Sequence, residues 1–186
     1  MVNFLFGAAS LKRMRPLKIV SVDVGVRHLA YCVINGDGIE RLRLYDAGSS
    51  LSGVKAGERI LTDLLESDDG GGEWLSADIL LIEAQHVRNV KAQLVAQTIR
   101  TWATIRGLKW VQVSATLKLD RFVDGHGVMK YKEYKKACVK VCRDTAAERW
   151  PSTPDSAWSE CWDGAAKKDD MADCLLQAAA WMDNRK

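Results

Sequence analysis

Lys18-Ile19-Val20-Ser21-Val22-Asp23-Val24-Gly25 is the stretch whose reading decides the fold. Apolar residues and one serine fill the run up to Asp23, the pattern of a buried strand. A carboxylate in that position is costly unless it is paired or bound to a metal. Three other acids stand in comparable settings. Glu83 closes the apolar run Ile79-Leu80-Leu81-Ile82, and Asp170 and Asp173 head the apolar helical pattern over 171–182. Four carboxylates at the edge of one core point to a divalent-metal site.

Outward from that strand, residues 28–34 are apolar and partly β-branched or aromatic, and Asn35-Gly36-Asp37-Gly38 supplies the residues of a tight hairpin. Residues 39–45 alternate apolar side chains with Glu40, Arg41 and Arg43, so three consecutive antiparallel strands are expected. Residues 53–67 have helical spacing, and Ser67-Asp68-Asp69-Gly70-Gly71-Gly72 is expected to break that helix. Residues 77–83 read as a central strand parallel to the first. A helix over 90–106, a strand over 110–113, a loop over 114–127, a helix over 131–149, a loop over 150–164 and the last helix complete the order βββαβαβα.

The chain has 186 residues, 47% of them hydrophobic and 27% charged, which suits one substantial core in one domain over 17–186. No apolar run approaches the length needed to cross a bilayer, so an integral membrane protein is not expected. Five cysteines, with no paired CxxC spacing and no secretory signal, read as reduced thiols in an intracellular protein. Cys138 and Cys142 lie four apart, half of a zinc site at most, and the three histidines show no matching spacing. Residues 1–16 carry Lys12, Arg13 and Arg15 and no acid, which fits either a short organelle-targeting extension or a plain tail.

The net charge of +3 is modest, but its distribution is uneven. Residues 84–119 contain no acid and hold Arg88, Lys91, Arg100, Arg106, Lys109 and Lys118. Lys130, Lys132, Lys135, Lys136, Lys140 and Arg143 then face a lone Glu133 at the start of the following helix. Such surfaces suit a phosphate backbone. A solvated helix face is the plainer alternative.

The three-stranded meander opening on apolar-Asp-x-Gly, the strand ending in Glu83 and the acid pair three apart on the last helix together resemble the ribonuclease H-like nucleases. Ile82-Glu83-Ala84-Gln85 followed by Arg88, Asn89 and Lys91, then Lys118 ahead of Gly125 and Gly127, then Lys167-Lys168-Asp169-Asp170-Met171-Ala172-Asp173, is similar to the Holliday junction resolvases. Among them the chain looks closest to the fungal mitochondrial and poxvirus branch related to the bacterial RuvC enzymes.

The resemblance implies an α/β fold with a mixed five-stranded sheet, three strands antiparallel and then two parallel, flanked by helices. It implies that Asp23, Glu83, Asp170 and Asp173 bind two Mg²⁺ ions, with Mn²⁺ able to substitute, and that Lys118 contacts the scissile phosphate. Residues three apart share a helix face, so Asp170 and Asp173 can reach one site while Asp169 points away. Gln85, Arg88, Asn89, Lys91, Lys118, Arg121, Lys130, Lys132, Lys135, Lys136 and Lys167 are the expected DNA contacts. The implied activity is cleavage of four-way DNA junctions by a homodimer, in a mitochondrion or in the host cytoplasm of a virus. The apolar face of the 90–106 helix, with Leu94, Ile99 and Trp102 as its anchor, is the expected dimer contact.

Duller readings stand beside these. Asp170 and Asp173 can simply complement a helix dipole, a stabilisation of about 0.3–1 kcal/mol each. Lys118 can be a solvated loop lysine, and Trp150, Trp158 and Trp162 can be packing rather than base-stacking residues. A non-catalytic junction-binding protein of the same fold is the main alternative function. An acetate kinase-like nucleotide-binding domain is disfavoured, because only one such lobe is present.

Overall fold

The computed structural model describes residues 15–49, 51–123, 129–154, 162–165 and 167–185. Its centre is β1 (Lys18–Asp23), antiparallel to β2 (His28–Asn35) and parallel to β4 (Ile79–Glu83). With β3 (Gly38–Asp46) and β5 (Trp110–Val113) at the edges, the order is β3-β2-β1-β4-β5. Three antiparallel strands followed by two parallel ones form the mixed sheet expected from the sequence. The β2–β3 turn sets Asn35 opposite Gly38, with Gly36 at φ +60°, a conformation glycine adopts without Cβ strain.

Strand side chains alternate between faces, and each face of this sheet has its own helical layer. Val20 and Val22 pack with α1 (Gly53–Ile60), α2 (Asp68–Leu75) and α3 (Val90–Ile105). Ile19 and Leu81 pack with α5 (Tyr131–Arg149) and α6 (Lys168–Asp183), and the short α4 (Leu117–Phe122) leans on α6. By the same alternation, Asp23 and Glu83 emerge toward α6. The register pairs Val22 with Ile82, so the two acids leave neighbouring strand ends side by side.

Two expected loops are helical. The glycine-rich run that should break the first helix begins α2 instead. It follows a single π-helical turn, Leu61–Leu65. A Cβ at Gly71 would lie 2.1 Å from the Leu65 carbonyl oxygen, so glycine there permits the close return of the chain. Trp74 then fixes α2 from the core, edge-on to Tyr31 at 5.3 Å and to Trp102 at 6.2 Å between ring centres. The second helical segment is α4, within the expected loop over 114–127; six residues are too few to display a helical period.

The expected dimer contact needs correction. Ile99 and Trp102 are buried within the chain, and the Trp102 indole donates a 2.8 Å hydrogen bond to Glu66. Their side of α3 packs on α1, so closely that a Cβ at Gly53 or Gly57 would lie 2.6 Å from Lys91 O or Thr98 Oγ1. The apolar residues left exposed on these two helices are Val54, Val90, Leu94 and Ile105. Trp150 and Trp162 are packing residues of the α5–α6 layer, together with the free thiols of Cys138, Cys142 and Cys174. Trp158, Cys161, Gly125, His126 and Gly127 lie outside the described residues. Among the described residues, no helix is long and apolar enough to cross a membrane.

Asp183 ties this layer together at the end of α6. Its carboxylate accepts two 2.8 Å bonds from Arg149 on α5 and one of 2.6 Å from Arg121 on α4. Those hydrogen bonds outweigh burial and hold its pKa down to about 2. A depressed carboxylate contributes stability above its unfolded pKa of about 3.9, and that contribution is lost as pH falls through the folded value. Asp183→Asn is therefore expected to cost about 1–2 kcal/mol at pH 7. In urea titrations across pH, the gap between wild type and variant should narrow from about pH 4 down to about pH 2.

Candidate active site

A cavity of about 340 Å³ opens at the C-terminal ends of β1 and β4. Asp23, Glu83, Asp170 and Asp173 all line it, with Lys118, Gln85, His28, Tyr134 and Lys135. The topology brings Asp23 and Glu83 together, and α6 supplies the other two acids. Its placement depends on Gln177, one turn beyond Asp173 and 2% exposed. The Gln177 amide donates to Ser21 Oγ at 3.1 Å, to the Val22 carbonyl at 3.3 Å and to the Leu81 carbonyl at 3.5 Å. Sequence reading missed this residue. Its signal was a lone amide inside the apolar pattern over 171–182.

The acids fall into two charge groups. In the first, Lys118 is 3% exposed and its ammonium lies 2.7 Å from Glu83 and 3.2 Å from Asp173. Burial favours the neutral amine, but Asp173, Glu83 and Asp23 hold its pKa above the ordinary value. Burial raises Asp23 well above the usual carboxylate range, and the neighbouring Glu83 charge adds to it. Asp173 is also raised, chiefly by burial, against the pull of Lys118. Burial opposes ionisation of Glu83 too, yet Lys118 and hydrogen bonds from Asp23, Lys118 and Gln85 bring it below its usual value. One donor of that set is Gln85, whose amide lies 3.2 Å from Glu83 Oε2.

The second group sits at the start of α6. Lys135 bonds Asp169 and lies 3.5 Å from Asp170. Asp169 therefore does not simply point away; it shares a lysine with Asp170. Burial, then the Asp169 charge, raises Asp170, whereas the Lys135 bond outweighs burial and lowers Asp169. Lys167, half-buried before α6, adds positive charge to both.

The remaining expected DNA contacts divide by partner. Arg121 is bound to Asp183, Asn89 caps α3 by accepting from the Ala92 amide, and Lys130 stands at the start of α5 with its backbone amide on Glu133. Arg88, Lys91, Lys132 and Lys136 are exposed, as is Lys140. Lys118, expected on a loop, is a buried residue of α4.

Among the described residues, no three His, Cys, Asp or Glu side chains are gathered closely enough to hold a metal ion. The Lys118 ammonium occupies the space between Glu83 and Asp173. The chemistry of the set nonetheless fits a hard divalent cation: the charged donors are all carboxylate oxygens. Asp23, Glu83 and Asp173 crowd one ammonium, that of Lys118, and burial raises Asp23 and Asp173 above the usual carboxylate range.

No protein-family model and no curated protein sequence matches the chain. Solved structures do. The Thermus thermophilus RuvC structure superposes with a TM-score of 0.57 at 12% identity, covering 91% of this chain and 97% of that one. T. thermophilus RuvC in complex with Holliday junction substrate gives 0.56 at 10% identity, covering 90% and 96%. The fold is the ribonuclease H-like fold of RuvC.

Lys118 acts here as a built-in counter-ion for three acids. Lys118→Met should lower stability in EDTA by about 3 kcal/mol, because it leaves buried carboxylates uncompensated. Millimolar Mg²⁺ or Mn²⁺ should restore much of that loss, raising the melting temperature of the variant more than that of wild type. Equal metal-induced shifts in thermal denaturation would remove the counter-ion role.

Proposed function

We propose that this chain is a structure-selective endonuclease that cleaves four-way DNA junctions. The observation that carries the reading is the convergence of Asp23, Glu83, Asp170 and Asp173 on one cavity beside a buried lysine. That this is the fold of a protein solved with Holliday junction substrate supports it. The four acids would hold two divalent ions, Mg²⁺ or Mn²⁺, and the bound ions would supply an activated water and charge for the departing oxygen.

The chain's own residues do the rest. Gln85 steadies Glu83 by hydrogen bonding, and Lys118, once its acids are otherwise neutralised, has an ammonium free for the non-bridging oxygens of a phosphodiester. Exposed Arg88, Lys91, Lys132, Lys136 and Lys140 form the phosphate-tracking surface. Lys135 is left out of that surface because it is engaged by Asp169 and Asp170. The fungal mitochondrial and poxvirus resolvases are the proposed kin, with an intracellular site of action in either case.

A junction has two-fold symmetry, so paired incision calls for two active sites in one particle. The groove of about 590 Å³ between α1 and α3, with Val54, Leu94 and Ile105 on its walls, is the proposed seat of a second copy. Its exposed anchors are Leu94 and Ile105 rather than Trp102, which lines the groove but is itself buried.

The test is incubation with labelled four-way junction, linear duplex and nicked duplex, in Mg²⁺ or EDTA. Cleavage should be confined to the junction and to Mg²⁺, and Asp23→Asn or Asp170→Asn should abolish it while leaving binding nearly intact. Binding without any cleavage by wild type would favour the non-catalytic alternative. Junction affinity should fall with salt at a log-log slope of about −0.9 per neutralised phosphate. Replacing Lys132, Lys136 and Lys140 by Ala should flatten that slope by about one to three units. Leu94→Glu with Ile105→Glu should give a folded monomer by light scattering that makes single nicks in a cruciform plasmid.

A further inference from the structure

At the opposite end of the sheet from the acid cavity lies a larger one of about 750 Å³, beside the starts of β1, β4 and β5. Ile79, the first residue of β4, lines it, and Glu83, the last, lines the acid cavity. At about 3.3 Å per residue, roughly 13 Å of strand separates the two. A molecule seated here leaves the four acids open. Two apolar residues of its wall, Leu17 and Leu75, stand 38% and 44% exposed, whereas Ala77 and Leu108 are buried.

The charges around this cavity divide into paired and unpaired. Asp78, the acid of its wall, accepts from Arg15 and, at 2.9 Å, from the Lys18 backbone amide. Arg106 is turned to Glu66 at 2.6 Å. Lys109 and Arg185 also line the cavity, and both are exposed without a carboxylate partner among the described residues. They arrive from different parts of the fold, Lys109 from just before β5 and Arg185 from just after α6. The Arg185 guanidinium lies 4.6 Å from the Trp181 ring centre, a contact that orients the cation without neutralising it.

Aliphatic walls beside two unpaired cations call for a ligand that carries both apolar side chains and negative charge. Duplex DNA has the charge, but its convex backbone would set phosphates against Leu17 and Leu75 rather than fill the space between them. Single strands bind where bases stack on aromatic rings, and no aromatic side chain lines this cavity among the described residues. We propose that this cavity docks an acidic peptide segment of a partner protein. An aliphatic side chain of that segment lies among Leu17, Leu75 and Ile79, and its Asp or Glu carboxylates meet Lys109 and Arg185, the latter able to bind a carboxylate through two parallel N–H donors. Docking there carries the chain on another protein while its acid cavity stays open, whatever chemistry that cavity performs.

The experiment selects short random peptides displayed on phage against the full-length chain, then measures the recovered sequences as fluorescein-labelled peptides by anisotropy. Peptides that combine Asp or Glu with Leu, Ile or Val should be enriched. Lys109→Glu with Arg185→Glu should weaken their binding about tenfold or more, because like charges then face one another. Leu75→Asn should weaken it about fivefold through lost apolar contact. Lys55→Glu, an exposed charge reversal on α1, should leave it unchanged, and melting temperatures should confirm that all variants are folded. No enrichment, enrichment of peptides lacking either feature, or binding that survives both the double charge reversal and Leu75→Asn overturns the docking site. Displacement of the peptide by an unrelated single-stranded DNA of equal charge makes the cavity a phosphate site and overturns it too.

Discussion

Everything at the acid cavity depends on one buried amide. Gln177 reaches out of an otherwise apolar helix and donates to atoms of both β1 and β4, so α6 cannot slide along the sheet without leaving polar groups unmet. With that helix pinned, Asp173 is fixed opposite Asp23 and Glu83, and Asp170 one turn earlier reaches the same cavity wall. Parallel pairing of β1 with β4 is the other half of the constraint, since a one-residue slip would turn Asp23 or Glu83 onto the α1–α3 layer.

Much of this was legible beforehand, for physical reasons that differ by element. The buried strands announced themselves because a run such as Ile79 to Ile82 has few other uses, and the long helices because three or more turns display a period. Helix α4 has too few turns to do so. Helix α2 was hidden for another reason: Gly71 is placed by close chain approach at Leu65, a tertiary demand that overrides local propensity. The acids were visible as costly interruptions of apolar runs. Their partners were not, because whether a lysine is solvated or buried depends on residues far away in the chain, and so Lys118 and Lys135 looked like members of an exposed basic surface. Trp102 misled in the opposite sense. A helix with apolar residues on one side says only that the side is covered, and here α1 covers it.

The layer holding the acids is fastened differently from the layer behind it. On the α1–α3 side, Gly53 meets the Lys91 backbone and Gly57 the Thr98 side chain, with apolar packing around Trp74. On the α4–α6 side, charge does more of the work: Asp183 gathers Arg121 and Arg149, and Lys135 bridges α5 to the start of α6. The cavity therefore opens within the more ionic half of the molecule, where salt and pH have most purchase.

The crowding of carboxylates around Lys118 has an evolutionary side. Burial makes ionisation of Asp23 and Asp173 unfavourable, and at Asp23 the Glu83 charge adds to it, so a neutral side chain of the same shape at Asp23 would be spared both costs. With the acids in the proposed role, function and durability would pull against each other at these positions. Drift unchecked by selection would carry descendants of this chain toward sturdier proteins of unchanged outline that had forfeited an acid.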